Sequence, residues 1–287
     1  MAAGRVAEKR RRKRVFGVIA HIVLIAASIA MLYPLLWMLS ASFRPQDEIF
    51  SSSSIIPSHL TVDAYVRGWQ GLQVSFATFF TNSFIIAGLS VIGNLMACSI
   101  TAFAFARLEF RGKRVWFALM LGTLMLPYQV TLIPQYVMFL HIGWVNTFLP
   151  LVVPKFLATD SFFIFLMVQF FRGIPRELDE AAMMDGCSPW RIYWKIMLPL
   201  SVPVLTTAGI FTFIFTWDDF FGPLIYLSDI ATYTVTIALR TFVDSTAESN
   251  WSGLFAMSIL SLVPIFVLFL FFQRYLIEGI ATTGMKR

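Results

Sequence analysis

Six apolar runs, each near the length that crosses a bilayer, constrain this chain more than any motif does. They lie near 16–41, 79–106, 115–140, 148–171, 198–227 and 254–277, and a helix needs about twenty such residues to span the hydrocarbon. Inside lipid the backbone finds no water, so each run must satisfy its own N–H and C=O groups, which a helix does. With 58% hydrophobic and 13% charged residues in 287, little chain remains for a soluble domain. The expected fold class is all-α, a polytopic membrane protein of six transmembrane helices. Prolines at 127, 134, 150 and 154 make the third and fourth spans the least regular. The first run, about 25 residues long, far exceeds the apolar region of a cleaved signal peptide and reads as a span.

Charge sets the orientation. Of 22 basic residues, eighteen fall on the N-terminal tail, the second and fourth connections and the C-terminal end. The intervening connections hold only Arg44, Arg67 and Arg240, beside six carboxylates. The positive-inside rule then puts both termini in the cytoplasm. The net charge of +6 is topological, and the RRRKR tail, directly before an apolar run, reads as an anchor rather than a nucleic-acid patch. The expected division is a basic cytoplasmic tail over 1–15, a six-helix domain over 16–278 and a C-terminal tail over 279–287. Cys98 falls in a span and Cys187 on a cytoplasmic loop, so they form no disulfide framework. Two exported connections, 42–78 with its run Ser51-Ser52-Ser53-Ser54 and 228–253 with the alternating run Tyr233-Thr234-Val235-Thr236-Ile237, offer a polar outer surface.

The fourth connection, over 172–199, is built like a folded element. Pro175 suits a first helical turn, and Glu177, Asp179 and Glu180 suit the positive end of a helix dipole. A short helix is expected from about 175 to 185. Gly186 supplies the left-handed residue that ends it, and Ser188-Pro189 starts a second helix to about Ile196, with Pro199 breaking away into the membrane. Ala181 and Ala182 are small enough to admit another surface, and the flanking charges fix register on it. Four carboxylates suit a protein partner better than anionic headgroups.

Lys155, Asp160, Asp218 and Asp219 lie within apolar runs, where translocon scales charge roughly 2.5–3.5 kcal/mol for such a residue at a helix centre. They must face protein or water. At 1.5 Å per residue Asp160 sits about 18 Å above Arg172 and Asp218 about 22 Å above Pro203, so the two acids are expected at similar depth in a shared polar cavity. Trp217, Phe220, Phe221 and Tyr226 flank the acidic pair, and aromatic faces beside carboxylates suit a polyhydroxylated ligand. Two other readings stand open: Asp218 and Asp219 bond backbone freed at a broken helix before Gly222-Pro223, and Lys155 with Asp160 is only a buried pair. Pro127 and Pro134 are expected to kink the third span.

The chain has no GxxxxGK[ST] phosphate loop, no nucleophile elbow and no metal-ligand spacing among His21, His59 and His141. No catalytic, metal or cofactor site is expected on it.

The stretch Glu180-Ala181-Ala182, then Gly186, then Ile196 and Leu198-Pro199, matches EAA-x3-G-x9-I-x-LP at all seven specified positions. It resembles the cytoplasmic coupling loop of ATP-binding-cassette importer permeases. PYQVTLIPQY, FFIFLMVQFFRGIPRELDEAAMMDG, TWDDFFGPLIYL and FFQRYLIEGIATTGMKR resemble the carbohydrate-uptake branch, the maltose-type inner-membrane permeases. The resemblance covers roughly 15–287 and implies a type I importer permease fold. It also implies a second permease subunit, two ATPase subunits carrying ATP and Mg, a solute-binding protein outside the membrane and a sugar or polyol as cargo. By the same resemblance Glu180, Ala181, Ala182, Asp185 and Gly186 carry the coupling contact, and Lys155, Asp160, Trp217, Asp218 and Asp219 are pathway candidates. Where many relatives read WND this chain has Trp217-Asp218-Asp219, which points to a cationic or strongly hydroxylated cargo. An ion-coupled secondary transporter, with Asp160 or Asp218 relaying a proton, and an intramembrane aspartyl hydrolase are the competing classes; neither gives the Glu180 loop a purpose.

Overall fold

The structure is a computed structural model that describes residues 2–51, 56–57, 59–244 and 250–284. Most of the serine run at 51–54 and the last three residues lie outside these. Helices follow in the order α1 (Ala2–Ala41), α2 (Asp63–Gln70), α3 (Phe76–Arg107), α4 (Lys113–Thr123), α5 (Tyr128–His141), α6 (Leu149–Val152), α7 (Ser161–Gly173), α8 (Glu177–Met184), α9 (Pro189–Ile192), α10 (Leu198–Leu200), α11 (Val202–Trp217), α12 (Phe221–Tyr226), α13 (Val235–Asp244) and α14 (Trp251–Gly284). The described residues contain no strand. Of the alternating run at 233–237, Val235, Thr236 and Ile237 form the first turn of α13, and Tyr233 and Thr234 precede it.

Helix α3 is the spine. Its 32 residues extend about 48 Å, and Ser83, Ala87, Ser90, Asn94, Cys98 and Ala102 recur every three or four residues as a buried face. Small side chains there let α7 and α11 approach closely, which is how helices associate where lipid is as apolar as leucine. At Gly93 the turn before α7 comes close as well: the ring of Phe156 stands where a Cβ would be. Near its start, Asn82 Nδ2 donates to the carbonyls of Ala231 (2.9 Å) and Tyr233 (3.0 Å), and Ser83 Oγ accepts from Val235 N–H. The 228–253 connection is thereby folded onto the bundle.

Among the described residues four helices are long and apolar enough to span alone: Phe16–Ala41, Phe76–Arg107, Leu149–Gly173 and Trp251–Arg274. The other two expected spans are bent pairs. The third run breaks between α4 and α5 with a 99° bend, because Pro127 takes an extended backbone (ψ 134°) and starts a new helix there. The fifth also departs from expectation. Helix α11 begins only at Val202 after a 77° bend and stops at Trp217, leaving 218–220 outside any helix. Pro199 does not break the chain as expected. It lies in the first turn of α10, after a π-helical stretch Tyr193–Met197 in which the Leu198 N–H reaches back to Tyr193 O. That wider turn accommodates a proline, and the direction changes at Ser201 instead.

Candidate functional site

The loop after α7 folds as two short helices around a left-handed glycine. Glu177, Asp179 and Glu180 occupy the first turn of α8. At its end Gly186 N–H donates to Met183 O (3.0 Å) and Cys187 N–H to Ala182 O (2.9 Å), the paired bonds of a Schellman motif, with Gly186 at φ +78°. Ser188 Oγ then accepts from Arg191 N–H (3.4 Å) and Pro189 follows in the first turn of α9.

The two faces of this loop differ. Asp179, Ala182, Ile192, Tyr193 and Met197 are buried; Glu180, Ala181, Asp185 and Gly186 are exposed, and Met184 is 89% exposed. Ala182, expected on the approachable face, packs inward against the chain's own core, three residues from Asp179 and so on the same helix side. Tyr193 OH shares a hydrogen bond of 2.7 Å with Ser99 Oγ on α3. Arg107, the last residue of α3, places Nε 3.1 Å from Asp179 Oδ2 and donates from Nη2 to Ile174 O at 2.7 Å. Sequence reasoning missed this pair: Arg107 reads as one of several interfacial cations, and nothing local marks it as buried.

A second polar locus forms where two spans break. Val153–Leu157 is a 3-10 turn with Pro154 in its first positions. Ala158 takes a left-handed backbone (φ +55°), and Asp160 precedes α7. Lys155 Nζ donates to Asp160 Oδ2 at 2.9 Å with both side chains about a quarter exposed. From below, Cys98 Sγ donates to Asn94 Oδ1 (2.9 Å) and stands 3.8 Å from Asp160 O, and Asn94 Nδ2 donates to Thr212 Oγ1 (2.6 Å). This chain, buried at Asn94, Cys98 and Thr212, ties α3, α7 and α11 together, and sequence reasoning assigned Asn94 no role.

At the second break Asp219 Oδ1 accepts from Gly222 N–H (3.2 Å) and Thr236 Oγ1 donates to Asp219 O (2.8 Å). Asp218 is exposed, and no described residue bonds its carboxylate. Trp217, expected as an aromatic face beside the acids, is only 2% exposed. Its ring centroid lies 4.8 Å from that of Phe84 and 5.5 Å from that of Phe213, and its Nε1–H donates to Ser261 O at 3.1 Å. An indole in a helix interior needs a partner for its N–H, and that carbonyl supplies it.

The profile of the family described as the binding-protein-dependent transport system inner membrane component matches residues 90–282. The chain belongs to this family. It is a transport permease subunit, and the exposed loop and the polar breaks both lie within the matched residues. Relatives include a protein named "Probable ABC transporter permease protein YurM" from Bacillus subtilis, 36% identical over 98% of this chain and 93% of that one. The arabinooligosaccharides transport system permease protein AraQ of Halalkalibacterium halodurans is 34% identical over 88% of this chain and 91% of its own. The trehalose/maltose transport system permease protein MalG of Thermococcus litoralis is 31% identical over 94% and 98%. The permease also superposes on a chain from the crystal structure of a bacterial ABC transporter involved in the import of the acidic polysaccharide alginate. The TM-score is 0.82 at 22% identity, over 92% of this chain and 98% of the other, so the two share a fold.

Proposed function

We propose that this permease forms half of the translocation pathway of an ATP-driven, binding-protein-dependent importer for a sugar, oligosaccharide or related polyol in a prokaryotic plasma membrane. A second permease subunit completes the pathway and two ATPase subunits carry ATP and Mg. A solute-binding protein delivers the cargo. In this reading both termini and the 172–199 loop are cytoplasmic, residues 1–15 and 279–287 are tails and 16–278 is the transport domain. The chain binds no cofactor and performs no covalent chemistry. The names of its relatives, which transport arabinooligosaccharides and trehalose or maltose, support the cargo class.

The observation that carries the coupling role is the outward presentation of Glu180, Ala181, Asp185 and Gly186 on a helix closed by a Schellman turn. An ATPase that grips this element and closes on ATP would swing it as a lever, turning the pathway from inward-facing to outward-facing. Lys155, Asp160, Asp218 and Asp219 line that pathway, and Trp217 acts behind them as the packing that holds the break. Reconstitution in proteoliposomes tests this: uptake of maltose or an arabino-oligosaccharide should require the ATPase subunits, the binding protein and ATP. Uptake by this chain alone under a proton gradient would refute it.

A further inference from the structure

We infer that Arg107 is the joint between the coupling loop and the membrane bundle, a positioning residue whose ion pair with Asp179 makes α8 move as one body with α3. The inference rests on the coupling reading above.

One guanidinium holds three elements. It ends α3, its Nη2 donates to Ile174 O just past α7, and its Nε lies 3.1 Å from the carboxylate in the first turn of α8. The side chains of Arg107 and Asp179 are 5% and 11% exposed. The hydrogen bond to Ile174 tethers the guanidinium, and charge rather than a hydrogen bond holds Asp179 beside it, since Arg107 Nε has no hydrogen-bond partner among the described residues. Asp179 Oδ1 has no hydrogen-bond partner among the described residues, so the ion pair with Arg107, together with the positive end of α8, offsets the cost of burying this carboxylate. Separating the two charges in a water-poor site is far more costly than at a surface.

The Tyr193–Ser99 hydrogen bond ties the segment after α9 to α3, but the other contacts of α8 and α9 with the bundle are apolar: Ala182, Ile192 and Met197 lie in one cluster with Ala102, Phe103 and Phe171. Such contact is non-directional and tolerates sliding. Ile174 is extended (ψ 133°) and Pro175 follows, so the link between α7 and α8 is a ready hinge. Without the pair, α8 would pivot there and a pull on the loop would be dissipated locally.

With the pair, the pull enters α3, which runs unbroken from Arg107 to Phe76. Along it, Cys98 and Asn94 contact Asp160 O and Thr212, and Asn82 and Ser83 hold the outer connection. A displacement at Arg107 therefore reaches both polar breaks and the far side of the membrane through one rod.

The test is spin-label distance measurement in the complete complex with its ATPase subunits, using Glu177→Cys on α8 and Thr81→Cys near the outer end of α3, with Cys187→Ser as background. Adding ATP analogue and Mg should leave this distance unchanged in the otherwise native chain. In Asp179→Asn and Arg107→Lys the same addition should shift or broaden it by several ångströms, and Asp179→Glu, which restores the charge, should bring back the fixed distance. Arg107→Met with Asp179→Leu keeps side-chain volume without stranding a charge, so it should accumulate even where single variants do not, and it should show the loosened distance. A nucleotide-dependent change in the native pair of positions overturns the joint, as does a fixed distance in the double variant. Failure of the ATPase subunits to co-purify with the unsubstituted permease overturns the coupling reading and the joint with it.

Discussion

The Phe156 ring lies against Gly93 with a ring carbon 2.5 Å from where a Cβ on that glycine would stand. The 3-10 turn that carries Lys155 is thus seated directly on the α3 backbone, and the height of the Lys155–Asp160 pair above the spine is set by a missing side chain.

Gly93→Ala should therefore lift or tilt that turn. Overpacking of this kind costs roughly 1–3 kcal/mol and would displace Lys155 from Asp160. Thermal unfolding of the detergent-solubilised complex and an uptake assay should both show the loss. Gly88→Ala is the control, since a Cβ there meets nothing within 4 Å; it should be neutral or stabilising by about 0.5–1 kcal/mol, as for glycine in a helix interior.

Trp217 and Asp218 are adjacent in sequence but should fail in different ways. Trp217→Ala removes a ring packed among Phe80, Phe84 and Phe213, a loss of roughly 3–5 kcal/mol for a large buried aromatic. The subunit should accumulate poorly or unfold earlier. Asp218→Asn touches an exposed carboxylate and should leave thermal stability unchanged while lowering uptake. Equal stability of both variants would contradict the burial of Trp217, and undiminished uptake by Asp218→Asn would remove Asp218 from the pathway.

The contrast shows what a single sequence carries. Spans were legible because apolar length is a property of consecutive residues, and the Gly186 turn was legible because a Schellman end writes itself in one glycine and its flanks. The bend between Pro189–Leu200 and α11 was not, since the π stretch at Tyr193–Met197 that absorbs Pro199 depends on Tyr193 bonding Ser99 and packing in the core. Likewise the depth of Asp160 and of the acidic pair could be counted in residues, but which of the two adjacent acids is held by the break could not. Asp219 rather than Asp218 is tied into the break because it holds Gly222 N–H at the start of α12, while Asp218 is exposed. Arg107 and Asp179 are far apart in sequence and on different elements, so only the folded chain pairs them.

Gly186 separates backbone strain from steric crowding. Its φ is +78° and nothing lies within 4 Å of an added Cβ, so any cost comes from the left-handed conformation alone. Asparagine tolerates that region and a β-branched residue does not. Gly186→Asn should retain ATPase subunits on co-purification, and Gly186→Val, strained by roughly 1–3 kcal/mol, should lose them while still inserting in the membrane. Equal retention by both would mean that the turn at 186 does not set the docking geometry.

The orientation of the chain can be checked with a native thiol. Cys187 lies on the loop between α8 and α9 and is partly exposed, and Cys98, the other cysteine, is buried. In the proposed topology Cys187 faces the cytoplasm, while Ser51, on the connection after α1, faces outward. A membrane-impermeant maleimide applied to intact cells should label Ser51→Cys and leave Cys187 unreacted until the membrane is opened. Assembly with the ATPase subunits should then protect Cys187, because a partner seated on Glu180, Ala181, Asp185 and Gly186 covers the adjacent residue. Labelling of Cys187 from outside intact cells would reverse the topology, and with it the assignment of the loop to a cytoplasmic ATPase.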